Sequence, residues 1–96
     1  MKKNKPIEEI RLLIDEIDMK ILELISKRKG LVVEVVKFKN RNQIVDQKRI
    51  EKILQRLNNK AKELDLPPEI VDNIWKSMIN SFIELEEKIF DEVNKN

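Results

Sequence analysis

The chain has no cysteine, no histidine and no tyrosine, and only one glycine, one tryptophan and three prolines among its 96 residues. Without cysteine there is no disulfide and no thiol nucleophile; without histidine, the commonest metal ligand and the usual neutral-pH base are both missing. Imidazole-dependent hydrolysis is therefore excluded, and neither a metal site nor a zinc fold is expected. No long uncharged apolar run occurs, and the opening MKKNKP has no hydrophobic segment behind it. Neither a membrane span nor a secretory signal is expected, and the cytoplasm is the expected location. β-Branched alternation is too sparse to build a sheet, whereas apolar spacings of three and four recur throughout.

At 41% hydrophobic and 40% charged residues, the chain has material for one small domain over 1–96, with a modest core. Residues 1–6 read as a flexible tail. A deep closed pocket calls for a second chain. The net charge of +2 gives little reason to expect a polyanion partner, but the charge is uneven. Lys27 to Arg49 carries eight cations and two anions, whereas Glu84 to Asn96 carries five acids and two lysines. The first of these fields attracts a small anion.

Three helices are expected. The first runs from about Ile7 to Lys39, with apolar residues at Ile7, Ile10, Ile14, Ile17, Ile21, Leu24, Leu31, Val35 and Phe38. This 3,4 register lacks only its member at position 28, which is an arginine. At 1.5 Å per residue the helix is about 50 Å long, against a radius of gyration of about 13 Å for a globule of this size. The surplus must pack on another chain, so an intertwined homodimeric helical bundle is expected. Gly30 is the counterargument, because it is costly inside a helix and could open a hairpin instead. NRNQ at 40–43 reads as a connection, Ile50 to Leu64 marks a second helix ending near Glu63, and DLPP at 65–68 breaks it before a third.

Several charges interrupt these stripes. Arg28 has Leu24, Ile25, Leu31 and Val32 as helical neighbours, and Glu86 has Phe82, Ile83, Ile89 and Phe90. An unpaired charge in such a place is costly, so each belongs either to a site or to a buried interhelical pair. Lys39, eleven residues after Arg28 on the same helix, lies only about 20° of rotation away and frames the same cavity, but also suits a solvated helix end. Arg11, about 25 Å before Arg28 along the helix, reaches that cavity only from a partner subunit, or else pairs with Asp15 on the surface. Asp46 suits a helix N-cap and Arg49 a solvated first turn. Trp75 and the phenylalanines lie on the stripes and are expected in the core. Three cations and a carboxylate around one cavity describe a pocket for a small dianion, such as a dicarboxylate. Such a pocket can catalyse a rearrangement that needs orientation and fixed charge but no protein base or nucleophile.

The stretches IRLLIDEIDMKILELISKRKGLVVEVVKFK (10–39), IVDQKRIEKIL (44–54) and ELDLPPEIVDNIWKSMINSFIELE (63–86) together resemble the all-helical chorismate mutases. The resemblance covers about four-fifths of the chain. It implies an intertwined helical dimer with two active sites, no cofactor, and the Claisen-type rearrangement of chorismate to prephenate, a step of aromatic amino acid biosynthesis on the shikimate pathway. By the same resemblance, Arg11 comes from the partner subunit to a substrate carboxylate, and Arg28 is the main carboxylate-binding arginine. Lys39 contacts a carboxylate and the ether oxygen whose bond breaks. Asp46 and Arg49 hold the ring side of the substrate and support the site. Glu86 stands where the family has Gln or Glu, donating to the ether oxygen. Glutamate donates only when protonated, so activity is expected to fall as pH rises.

Three departures bear on specificity. Ile50 replaces a Glu that binds the ring hydroxyl in many mutases, and isochorismate pyruvate lyases also carry an apolar residue there. The connection from Lys39 to Arg49 is about two residues short, and Phe82 stands where a small polar residue is common. The lyase is thus the second enzymatic expectation. A non-catalytic helical dimerisation module would explain the stripes without using Arg28 or Glu86. Nucleic-acid binding would need the basic residues to point outward, and Arg28 points with the leucines; neither nucleic acid nor a membrane is an expected partner.

Overall fold

The periodicity folds as helices. In the computed structural model, which describes residues 4–95, α1 spans Asn4–Val36, a short 3-10 turn Arg41–Gln43, α2 Gln47–Glu63 and α3 Pro68–Val93, with no strand among the described residues. The chain is therefore all-α, as the spacing predicted. Of the expected tail, residues 1–3 lie outside the described residues, and Asn4–Pro6 already belong to α1. Pro6 falls within the first turn, where a missing N–H breaks no helical hydrogen bond.

Gly30 does not interrupt α1. Its φ is not positive, and nothing lies within 4 Å of the position a Cβ would take. The helix stops at Val36, three residues short of the expected Lys39. There the hydrogen bonds tighten to i→i+3, from Lys37 N–H to Glu34 O (3.3 Å), Phe38 N–H to Val35 O (3.0 Å) and Lys39 N–H to Val36 O (3.1 Å). Asn40 is then fully extended, and Gln43 Oε1 accepts from its N–H at 2.7 Å. Weak helix formers with side chains that bond the local backbone end the helix early.

The chain divides into two units, Met1–Leu31 and Val32–Asn96. In the first, Ile10, Ile14, Ile17, Ile21 and Leu24 are all exposed. The second has its own core of Val36, Ile44, Ala61, Val71, Ile79 and Phe82. Burying side chains of this size contributes about 1.5–3 kcal/mol for each large one. Asn58 Nδ2 donates to Asp72 Oδ1 at 3.3 Å and adds a polar tie between α2 and α3. Phe38, expected in the core, is 82% exposed, because it lies past the end of α1 and so off the stripe that placed it there. Trp75 and Phe90 are half-buried.

The turn from α2 to α3 closes on a complete C-terminal cap. Leu66 N–H bonds Ala61 O at 2.8 Å and Asp65 N–H bonds Lys62 O at 3.3 Å. This pairing needs a left-handed residue at its centre, a place that favours glycine. Asp65 fills it with φ 56°. Pro68 at the first helical position and Glu69 in the first turn then start α3, which suits the helix dipole.

Candidate active site

Lys39 and Glu86, 47 residues apart, meet in the second unit. Glu86 lies on α3 and is 7% exposed, walled by buried Phe82 and half-buried Ile83, Ile89 and Phe90. Lys39 has left the axis of α1, and buried Val36 anchors the segment that carries it. Its Nζ donates to Glu86 Oε1 at 2.7 Å. The expectation that Lys39 continues the helical projection of Arg28 fails because the helix has ended. The alternative of a solvated helix-end lysine fails too, since its ammonium is bound to a carboxylate that apolar side chains enclose. Removing Lys39 from such a pair leaves the buried Glu86 carboxylate poorly solvated, which is unfavourable.

Asp46 takes the structural role open to it. It is the N-cap of α2, its Oδ1 accepting from Arg49 N–H at 3.1 Å. The Asp46 and Arg49 side chains are exposed, and Ile50 beside them is half-buried. These residues lie on the same short run as Ile44, which is buried and fixes the connection to the second unit's core.

Arg28 and Arg11 lie on α1 in the first unit. Arg28 is half-buried although Leu24 and Leu31, one turn away on either side, are 61% and 68% exposed. Arg11 is exposed, as is Asp15, and the surface ion pair open to them does not form. The structure thus joins Lys39 to Glu86 and Asp46 to the Arg49 backbone, and carries the two arginines on the other unit. Among the described residues no cluster of Asp and Glu is arranged to hold a metal ion, and no helix is long and apolar enough to cross a membrane.

Arg41 went unnoticed in the sequence. Its guanidinium lies 4.6 Å from the centroid of the Phe90 ring and pairs with Asp91. The signal was an arginine two residues after Lys39 and an aromatic–acid pair one turn after Glu86. Neither half means anything until the fold brings residues 41 and 90 together.

An ammonium and a carboxyl group side by side, with apolar walls, can present two hydrogen-bonding groups to one developing charge. Comparison with known proteins gives this arrangement its family. The chorismate mutase type II family model matches residues 10–87. A chorismate mutase from Methanocaldococcus jannaschii is 36% identical over 93 residues, which is 94% of each chain. The bifunctional chorismate mutase/prephenate dehydratase of Buchnera aphidicola subsp. Acyrthosiphon pisum is 31% identical over 78 residues, 79% of this chain and 20% of that longer protein. No solved structure matches. The chain belongs to the chorismate mutase type II family.

Proposed function

We propose that this chain converts chorismate to prephenate in a site completed by two copies. The observation that carries the reading is the part-buried Lys39–Glu86 pair, which stands at the two positions from which the family is expected to address the ether oxygen. In the rearrangement the carbon–oxygen bond breaks as a carbon–carbon bond forms within one molecule, and no proton is gained or lost overall. Negative charge grows on the ether oxygen. Lys39, together with a protonated Glu86, binds that oxygen more tightly in the transition state than in the ground state, which is what accelerates a reaction. Arg28 clamps a carboxylate through its fork, Arg11 of a second copy reaches the other carboxylate, and Asp46 and Arg49 support the ring side. The excess of cations between Lys27 and Arg49 draws the dianion in.

The second copy is supported by the exposed stripe on α1. Ile10, Ile14, Ile17, Ile21 and Leu24 form a continuous apolar row that a lone chain leaves in water, and rows of that extent mark interfaces. One domain over 1–96, working as a cytoplasmic homodimer without a cofactor, is the economical reading. The names of both relatives favour the mutase over the isochorismate pyruvate lyase, which Ile50 and the short connection from Lys39 to Arg49 recommend.

A product assay on the purified protein tests this, with chorismate and isochorismate supplied separately and R28A as control. Prephenate from chorismate is expected, with kcat/KM reduced about a hundred- to thousandfold in R28A, the usual effect of removing a charge-stabilising donor. Salicylate and pyruvate from isochorismate, with little prephenate, would replace the mutase by the lyase. Turnover of neither by a folded protein would return Arg28 and Glu86 to a purely structural role in a dimerisation module.

A further inference from the structure

Lys39 is not on a helix. It sits on the connection between α1 and α2, between buried Val36 and buried Ile44, and its ammonium is bound to Glu86. Under the function proposed above, on which this inference rests, both groups turn to the same substrate oxygen. The bond between them then cannot be what holds Lys39 in place during the reaction. Val36 and Ile44 keep its two ends in the core, so what the opened pair leaves to be fixed is the direction of the part between them.

Arg41 is placed to fix it. It lies two residues beyond Lys39, at the start of the 3-10 turn, and its guanidinium stacks 4.6 Å from the Phe90 centroid while pairing with Asp91. Phe90 follows Glu86 by four residues, so the two lie one above the other on α3. The segment from Lys39 to Arg41 is thus fastened to α3 at two points one turn apart, and substrate frees only the first. Gln43 stiffens the second, since its side chain closes the turn onto the Asn40 N–H at 2.7 Å. We propose that Arg41 is a positioning residue, which through Phe90 and Asp91 keeps Lys39 aimed at the reacting oxygen.

The strength of this clamp decides what it can do. Arg41 and Asp91 are both more than half exposed, and exposed ion pairs add little to global stability. Stacking on Phe90 adds a modest cation–π attraction. The clamp is too weak to hold the fold together, but adequate to bias the direction of one short connection. Lysine in its place keeps the charge opposite Asp91 and loses the planar stack.

The test measures kcat and KM for R41A and R41K in the parent and in the K39A background, beside the side-chain ammonium resonance of Lys39 without substrate. In the parent background R41A is expected to lower kcat about tenfold with KM changed less than about twofold, because misplacing a group active in the transition state costs rate rather than binding. R41K should recover part of that loss. In K39A, adding R41A should change kcat less than about twofold, since residues acting through one another are not additive. The Lys39 resonance, identified by its absence in K39A, should lose part of its protection from solvent exchange in R41A, where the Glu86 pair alone still holds the ammonium, and regain some of it in R41K, while thermal unfolding shifts little. An equal loss of rate in both backgrounds would overturn the proposal by showing that Arg41 acts on its own. An unchanged kcat with an unchanged resonance would overturn it as well. If the parent makes no prephenate, the proposed function fails, yet the resonance still reports whether Arg41 holds Lys39.

Discussion

The two units of this chain treat the same kind of residue in opposite ways. Val32–Asn96 buries Val36, Ile44, Ala61, Val71, Ile79 and Phe82 against itself, whereas in Met1–Leu31 the regular row of Ile10, Ile14, Ile17, Ile21 and Leu24 stays exposed. A 3,4 stripe says that a helix face will be covered and says nothing about what covers it. In the second unit the cover is the chain itself; in the first, we argue, it is another copy.

An acid in the middle of the exposed row gives the largest expected effect. I17D should yield monomers by sedimentation velocity and abolish prephenate formation, because an unpaired carboxylate has no place in an apolar interface. A dimer with ordinary activity would show that the row serves something else. The same comparison in the second unit is I79A, which removes part of a core side chain and should lower unfolding stability by about 2–5 kcal/mol. Its measure is denaturant unfolding at a fixed protomer concentration, since dimerisation itself adds to stability. The dimer should persist in I79A, separating a core within the chain from one between chains.

The next effect is one of pH. Glu86 accepts from Lys39, and it donates to an ether oxygen only in its protonated form. The parent rate should therefore be higher where this carboxyl carries a proton than where it does not. Glutamine donates at every pH, so the E86Q profile should be flat and cross above the parent on the alkaline side. Profiles of the same shape for both would leave Lys39 as the sole donor.

The smallest effects come from opposite exchanges of glycine, one in each unit. Gly30 lies inside α1 with open space where a Cβ would stand, so G30A should add about 0.5–1 kcal/mol. Asp65 occupies the left-handed centre of a cap that prefers glycine, so D65G should also stabilise, by up to about 1 kcal/mol. Thermal unfolding checks both. A destabilised G30A would mean that a second copy approaches closely at that position.

Much of this was legible from spacing. The all-helical fold, the continuity of α1 through Gly30, the break at Asp65–Pro68 and the anomaly of Glu86 among four apolar neighbours follow from periods and breakers. The end of α1 was missed because residues 37–39 continue the pattern, while the backbone is pulled away by Asn40 and Gln43, whose local hydrogen bonds leave no mark in a hydrophobicity pattern. That same error concealed how Lys39 reaches Glu86, and with it the place of Arg41. The Asp46 cap was legible because its chemistry is local. Arg28 stood out as an interruption, but a sequence cannot say which carboxylate such an arginine receives.

Mixing two inactive variants tests the two-chain site most directly. R11A and R28A, unfolded together and refolded as a one-to-one mixture, form mixed dimers in which one site keeps Arg28 from one chain and Arg11 from the other. Random pairing makes about half the dimers mixed, each with one intact site of two, so prephenate formation should return to about a quarter of the parental rate. Activity no greater than the average of the two variants refolded separately would show that Arg11 does not act across subunits, and would contradict a site shared between two copies.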